Sequence, residues 1–239
     1  MAAKKVATVT ATLEGFQRAK ALFAAIEAAS ELELFLIAAG EVVASTPLVE
    51  GSGLPITATV INRLPGEDGV SRSKSLGLGV MAFADLWASL TPDLLLLTGH
   101  EPEMVAAAQA ALPARIPIVH LHPSAPPRGP IRWAAMDSLS KMSHLHLIQG
   151  EGACQRLTRM GEAPERLFDL GQWGEGWPQG VVRTLIEADV AGLIQKTFHD
   201  LNTSADFLNA ETLQALRQAR KGENLTTWDS VDGLIKSAE

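Results

Sequence analysis

The chain has one cysteine, Cys154, among its 239 residues. An internal disulfide is therefore excluded, and a single thiol is typical of a protein in a reducing cytosol. We interpret Cys154 as a small buried or half-buried thiol on a helix, because no helix start or cluster of basic residues marks it as reactive.

Basic residues are also scarce, since 20 Lys and Arg face 27 Asp and Glu and the formal net charge is -7. This balance argues against a broad nucleic-acid-binding surface. No apolar run approaches the roughly 20 residues that a membrane span needs. The first residues, Met1–Lys5, lead straight into a strand-like run, so no signal peptide is expected. We expect a soluble cytoplasmic protein without nucleic-acid or membrane partners.

What the chain does have is a regular alternation of apolar runs, best seen near its centre. Asp93–Thr98 is almost purely apolar, which is typical of a strand buried on both faces of a parallel sheet. The Ala-rich segment Glu101–Leu112 predicts a helix that two prolines end, and Ile118–Leu121 predicts the next buried strand. Strand, helix and strand at this spacing form a βαβ unit, whose ligands bind beyond the carboxyl ends of the strands.

The same alternation continues on both sides of this unit. It predicts an α/β fold, a Rossmann-like doubly wound and mostly parallel sheet. The Gly- and Pro-punctuated segment Glu41–Asp68 is interpreted as a loop-rich excursion with one strand. The remaining predicted strands are Lys5–Ala11, Leu32–Ala39, Ile56–Ile61, Leu145–Gln149 and Leu167–Leu170, and the helices are Phe16–Ala29, Ser71–Leu90, Ile131–Met142 and Gly152–Met160.

A loop rich in Gly, Trp and Pro, Gly171–Gly180, indicates a domain boundary. We predict one Rossmann-like domain over residues 1–175 and a small helical carboxy-terminal extension over residues 176–239. The predicted helices of the extension are Val181–Phe198, Asn209–Lys221 and Ser230–Ala238.

Groups that could carry chemistry lie at the predicted strand ends. His100 and Glu103 follow the strand that ends before Gly99, and they are candidate acid–base groups together with His122. Glu103 also fits a structural role at a helix start. In nucleotide-binding folds the first turn often holds a phosphate. The candidate ligand-binding residues are therefore Thr10, Thr12, Gly99 and Gly171.

Histidines alternate at two successive strands. His120 and His122 share one face of the first strand, and His144 and His146 repeat this spacing on the next. These four side chains could form a metal cluster, or they could be hydrogen-bonded at the strand ends. Because the two strands carry no carboxylate or thiolate beside the histidines, we favour hydrogen bonding and expect neither a metal site nor a cofactor.

These features together resemble the amino-terminal half of the hydrolysing UDP-N-acetylglucosamine 2-epimerases, especially the branch that feeds sialic and legionaminic acid synthesis. The resemblance runs from Lys4 to about Gly171. It is carried by KKVATVTAT, SKSLGLGVMAFADLWASLTPDLLLLTG, IPIVHLH, LSKMSHLHLI and RLTRMGEAPERLFDLG. It implies one half of a GT-B fold, in which a nucleotide sugar lies in the cleft between two Rossmann-like domains.

The departures from this family fall where its chemistry is expected. The family motif Gly-Asp-Arg-x-Glu appears here as Gly99–Glu103, so only the final Glu is kept, and no second family domain follows Gly171. The resemblance therefore implies a degenerate pseudoenzyme that binds a protein partner or a nucleotide-type ligand such as a nucleotide sugar. The other replacing residues are Leu13, Gly15, Pro123, Ser124, Ala125, Arg132, Trp133, Met136 and Asp137.

Two further hypotheses stay open. The chain could be an active nucleotide-sugar 2-epimerase or hydrolase that a separate second-domain subunit completes, or it could act as a homodimer, which is common in GT-B 2-epimerases. Its tail, Leu208–Ala238, resembles the carboxy terminus of RelB/DinJ-type antitoxins at Asn209–Thr212, Gly222 and Asp229–Val231. That resemblance implies a toxin-binding module, although two ordinary capped helices would explain the same residues.

Overall fold

The computed structural model describes residues 2–66, 68–122, 129–171, 176–187 and 192. The predicted helices Asn209–Lys221 and Ser230–Ala238, and with them the antitoxin-like tail, lie outside the described residues. So do residues 123–128, which include three of the positions that depart from the family motifs.

The fold is built on a seven-stranded sheet in which every described pair of neighbours is parallel. The strand order is β3-β2-β1-β4-β5-β6-β7, so the chain winds outward from β1 in one direction and then from β4 in the other. The prediction of a doubly wound Rossmann-like sheet is confirmed. The strands are β1 Lys4–Thr10, β2 Leu32–Ala39, β3 Ala58–Val60, β4 Leu94–Leu97, β5 Ile118–Leu121, β6 Leu145–Ile148 and β7 Leu167–Asp169.

Helices cover the two faces of this sheet. They are α1 Leu13–Glu27, α2 Thr46–Glu50, α3 Gly69–Leu90, α4 Pro102–Ala111, α5 Pro130–Met142, α6 Glu151–Arg159 and α7 Trp177–Glu187, with short 3₁₀ helices at Gly40–Ser45 and Pro164–Arg166. No helix among the described residues combines the length and the apolar character needed to cross a bilayer.

The four leucines of β4 show why the central run is continuously apolar. Leu95 and Leu97 pack into a core cluster with Phe83 of α3 and the alanines of α4. Leu94 and Leu96 point to the other face and pack with α1 and α7. All four are 0–1% exposed, and each buried leucine contributes about 2 kcal/mol to stability. A strand buried on two faces has no polar side to alternate with.

Helix α7 lies in the segment that the sequence assigned to the extension. Its Val181 and Leu185 are fully buried and share a core cluster with Leu22 of α1. The Nζ of Lys4, at the start of β1, donates to the carbonyl of Leu185 over 2.7 Å. α7 therefore packs against the layer that covers β1 and β4.

The excursion between β2 and α3 has more helix than the sequence predicted. The chain turns from β2 directly into the 3₁₀ helix and then into α2, and β3 is only three residues long. Pro47, interpreted as a loop residue, lies in the first turn of α2. Proline has no N–H to donate and its fixed φ suits a helix start, so it begins a helix there. The single strand predicted in this segment is confirmed at Ala58–Val60.

Candidate functional site

The carboxyl ends of β1 and β4 bring three of the four predicted ligand-binding residues to neighbouring positions. Thr12 caps α1, and its Oγ1 accepts from the backbone N–H of Gly15 over 3.0 Å. Thr10 is 2% exposed, and its hydroxyl has no hydrogen-bond partner among the described residues. The carbonyl of Gly99 accepts from Nε2 of His120 over 3.1 Å.

Gly171 lies elsewhere on the same edge. It follows β7, which is three strand positions from β4, or roughly 14 Å at the usual strand spacing. Its backbone N–H donates to Oδ1 of Asp169 over 2.8 Å. The fold therefore separates Gly171 from the other predicted ligand-binding residues.

Glu103 lies half-buried in the first turn of α4. Its Oε1 is so close to Gly40 that a Cβ on that glycine would lie 2.9 Å away. Burial raises the pKa of Glu103, the neighbouring carboxylates of Glu101 and Glu41 raise it further, and Arg63 opposes them. A carboxyl group held towards its neutral form can act as a general acid. We call Glu41, Glu101 and Glu103 the acidic edge.

His100 stands beside the acidic edge and is half-buried. Its backbone N–H donates to Oε2 of Glu101 over 2.9 Å. Burial lowers the pKa of the His100 imidazole, Glu101 opposes this shift, and Arg132 and Arg18 lower the pKa further. A neutral imidazole next to a carboxyl group is therefore available at this side of the edge.

His122, the third catalytic candidate, is in a different environment. It is 2% exposed, and each of its ring nitrogens has a partner. Nε2 lies 3.1 Å from Nδ1 of His146, and Nδ1 lies 3.1 Å from Nη2 of Arg156. Arg156 is itself ion-paired with Asp137 at 2.5 Å. Neither nitrogen of His122 is free to meet a substrate.

Glu162, in the loop after α6, is 4% exposed and lies 3.3 Å from Nε2 of His146. Lys141 and Arg166 also contact it, at 2.8 and 3.1 Å. Burial on its own would raise the pKa of Glu162, but the bonds from His146 and Lys141 and the charge of Arg166 outweigh burial and lower the pKa to about 2.

Sequence reasoning missed Glu162 and Arg156. The strands themselves carry no carboxylate, as expected, but a loop supplies one from the side. The segment RLTRMGEAPERLFDLG holds Arg156 and Glu162, and the available signal was an acidic residue directly after the glycine that follows a predicted helix.

The prediction that the strand histidines are hydrogen-bonded is confirmed. Nδ1 of His144 accepts from the backbone N–H of Ile118 over 3.1 Å, and His120 bonds to Gly99. Burial is the main cause that lowers the pKa of His120 to about 3 and that of His144 to about 4. Within the part of the chain that the structure describes, no group of three or more His, Cys, Asp or Glu is arranged to hold a metal ion.

Comparisons of the sequence with known proteins point to one family. Residues 24–175 match the family model described as UDP-N-acetylglucosamine 2-epimerase. The UDP-N,N'-diacetylbacillosamine 2-epimerase (hydrolyzing) of Legionella pneumophila is 40% identical over 104 residues, which cover 44% of this chain and 27% of that protein. The GDP/UDP-N,N'-diacetylbacillosamine 2-epimerase (hydrolyzing) of Campylobacter jejuni is 32% identical over 176 residues, 72% of this chain and 46% of that protein. The chain thus spans less than half the length of these curated relatives.

Solved structures show the same fold. A UDP-GlcNAc 2-epimerase from Neisseria meningitidis, bound to UDP-GlcNAc, superimposes with a TM-score of 0.62 at 15% identity over 70% of this chain and 45% of that one. The UDP-N-acetylglucosamine 2-epimerase from Rickettsia bellii gives 0.59 at 18% identity over 81% and 51%. The described sheet therefore has the Rossmann-like architecture of one half of these epimerases.

Proposed function

This chain belongs to the UDP-N-acetylglucosamine 2-epimerase family, and we propose that it has kept the family scaffold without 2-epimerase catalysis. On this proposal it binds a nucleotide sugar, or a protein partner that occupies the same edge of the sheet, and releases it unchanged. The sugar ligand is proposed because a relative of the same fold is bound to UDP-GlcNAc.

The main support for this proposal is that both ring nitrogens of His122 already have partners. Epimerisation at C2 needs a base that takes a proton, an acid that returns one, and cations that hold the diphosphate. Of the three catalytic candidates, His122 has its two ring nitrogens occupied and is shielded from solvent. Glu103 and His100 remain, and the charges of Arg18 and Arg132 near His100 suit a diphosphate without supplying the second acid–base group.

The test is turnover of UDP-N-acetylglucosamine by the purified chain in D₂O. We expect no release of UDP and no deuterium at C2 above the enzyme-free control. In the same preparation, a bound ligand at 100 times its dissociation constant should stabilise the fold by about 2.7 kcal/mol, seen as a rise in Tm. Turnover that disappears in the variant Glu103→Gln would refute the loss of catalysis, and an unchanged Tm would refute nucleotide-sugar binding.

A second candidate function is favoured by Glu103 itself. A half-buried carboxyl group with a raised pKa after the carboxyl end of β4 suits a general acid, and the chain spans less than half the length of its relatives. An active enzyme completed by a separate second-domain subunit is then expected. Mixing the chain with the isolated carboxy-terminal half of a relative should give turnover that neither half has alone and that Glu103→Gln removes.

The antitoxin-like tail supports a third candidate, a toxin-binding module, although it lies outside the described residues. Capture of a co-encoded small basic protein by the full chain is the expected result. Deletion of residues 208–239 should abolish that capture, and binding that survives the deletion would contradict the proposal.

A further inference from the structure

Four side chains form a continuous row from the carboxyl end of β5 to the loop after α6. Nη2 of Arg156 lies 3.1 Å from Nδ1 of His122, whose Nε2 lies 3.1 Å from Nδ1 of His146. Nε2 of His146 lies 3.3 Å from Oε2 of Glu162. His122, His146 and Glu162 are at most 4% exposed, so water does not offer them alternative partners. We call these four residues the histidine relay.

The two ends of the histidine relay fix the direction of every bond between them. A guanidinium group only donates hydrogen bonds, so Nδ1 of His122 must accept from Arg156. The proton of that neutral ring is then on Nε2, which donates to Nδ1 of His146. His146 in turn carries its proton on Nε2 and donates to Glu162, an ionised carboxylate that only accepts.

We infer that Arg156 and Glu162 are positioning residues that hold His122 and His146 as neutral Nε2–H tautomers, with Arg156 closing the nitrogen of His122 that would otherwise serve as a base. A second proton has no place in this arrangement. On Nδ1 of His122 it would face the N–H of Arg156, and on Nδ1 of His146 it would face the N–H of His122. Bonds that all run in one direction also polarise and strengthen one another.

The charged groups around the relay support the same protonation state. Asp137 pairs with Arg156 and keeps its guanidinium charged, and Lys141 and Arg166 pair with Glu162 and keep it ionised. The ring of His120 lies beside that of His122, with the centroids 4.2 Å apart and the planes tilted by 48°, and it adds no acidic partner. The charges of Arg156 and Glu162 are thus each balanced by an ion pair with a residue outside the relay, and the imidazole rings of His122 and His146 stay neutral.

Nuclear magnetic resonance of the full chain with ¹⁵N-labelled histidine tests the inference directly. Long-range proton–nitrogen correlations tell a protonated ring nitrogen from a bare one. We expect His122 and His146 to be Nε2–H tautomers at pH 7 and to keep those signals down to pH 5. A Nδ1–H tautomer at either ring, or titration of either ring near the ordinary value of about 6.5, would overturn the inference.

Two arginines on the same helix provide matched variants. Arg156→Met should free Nδ1 of His122, so that His122 begins to titrate between pH 5 and 7, while Arg156→Lys should restore the wild-type signals because an ammonium group also only donates. Arg159→Met is the control, since Arg159 is exposed on α6. His144, which bonds to the backbone of Ile118, should not respond to any of these changes.

The outcomes separate the positioning role from simple packing. If Arg156→Met folds and leaves the His122 signals as in the wild type, Arg156 does not set the tautomer and the inference fails. If that variant does not fold, the wild-type tautomers and the Arg156→Lys spectrum still decide. None of these measurements uses a ligand, so they stand or fall independently of the proposed function.

Discussion

The acidic edge follows the carboxyl ends of β2 and β4, whereas the histidine relay runs from the end of β5 through β6 to the loop before β7, and the pKa values of their carboxyl groups are shifted in opposite directions. At the acidic edge, burial and like charges raise the pKa of Glu103. In the relay, Glu162 is more deeply buried, but three donors surround it and its pKa falls to about 2. Burial alone therefore does not decide the state of a carboxyl group in this protein; the number of its donors does. Glu162 thus has three donors, whereas Glu103 faces two like charges.

The largest expected effect is the loss of folding stability at acidic pH. Burial lowers the pKa of all four strand histidines below the ordinary value of 6.5. The pKa falls to about 3 for His120 and to about 4 for His144, and it is also lowered for His122 and His146. Below pH 6.5 the unfolded chain binds protons that the folded chain refuses, so stability is full above pH 7 and falls as the pH drops. Between pH 7.5 and 5 the loss should be roughly 2 kcal/mol for each of His120 and His144, and His122 and His146 add to it in the same direction.

Denaturant unfolding at several pH values measures this loss. The variant His144→Gln keeps an acceptor for the N–H of Ile118 and removes one titrating ring, so its stability should fall less steeply with acid by about one proton. A flat profile between pH 7.5 and 5 would mean that the four rings accept protons in the folded state, which the relay forbids for two of them.

The second test removes the charge at the end of the relay. Glu162→Gln leaves Lys141 and Arg166 without their buried counter-ion, and breaking such a pair from one side costs about 3 kcal/mol. Glu165→Gln is the matched control three residues on, because Glu165 is exposed and should change stability by less than about 0.5 kcal/mol. Equal effects in chemical denaturation at pH 7 would remove the distinction between the two regions.

The sheet was predictable because its strands are long enough and apolar enough to admit one interpretation. β5 lies at the predicted residues Ile118–Leu121, β4 is shorter than its prediction by one residue at each end, and β6 is shorter by one residue at its carboxyl end. The alternating histidines, and their hydrogen bonding, were visible in the same way. α2 was not predicted because a proline can either begin a helix or interrupt one, and the sequence alone does not tell which role Pro47 has.

The partners of the histidines were not predictable from spacing. Arg156 is 34 residues from His122, and Glu162 is 16 residues from His146. They meet only because β5 and β6 are adjacent and α6 packs beside them, so the contact depends on sheet order and not on periodicity. Similarly, the sequence placed Gly171 with the other candidates at the strand ends, and the strand order separates them.

The third test probes how tightly the acidic edge is packed. Gly40 has φ +57°, and a Cβ there would lie 2.9 Å from Oε1 of Glu103 and 3.0 Å from the carbonyl of Ala11. Gly40→Ala should therefore cost about 2 kcal/mol, from the left-handed backbone and from the crowding. Gly53→Ala is the control, because Gly53 has φ +85° and open space around its Cβ position, and it should cost about 1 kcal/mol. Equal costs would show that Glu103 moves aside freely.

The smallest expected effect is a gain in stability instead of a loss. Because burial, and then the charges of Glu101 and Glu41, raise the pKa of Glu103 in the fold, its ionised form is disfavoured at pH 7, and Glu103→Gln should stabilise the protein by roughly 0.5 kcal/mol. This gain should shrink as the pH falls through the folded pKa, because wild-type Glu103 then takes up its proton. Glu50→Gln, at an exposed position, provides the baseline for thermal unfolding at pH 7 and pH 5. A destabilised Glu103→Gln variant would show that the hydrogen bond from the backbone N–H of Glu103 to its own carboxylate outweighs the burial and the repulsion.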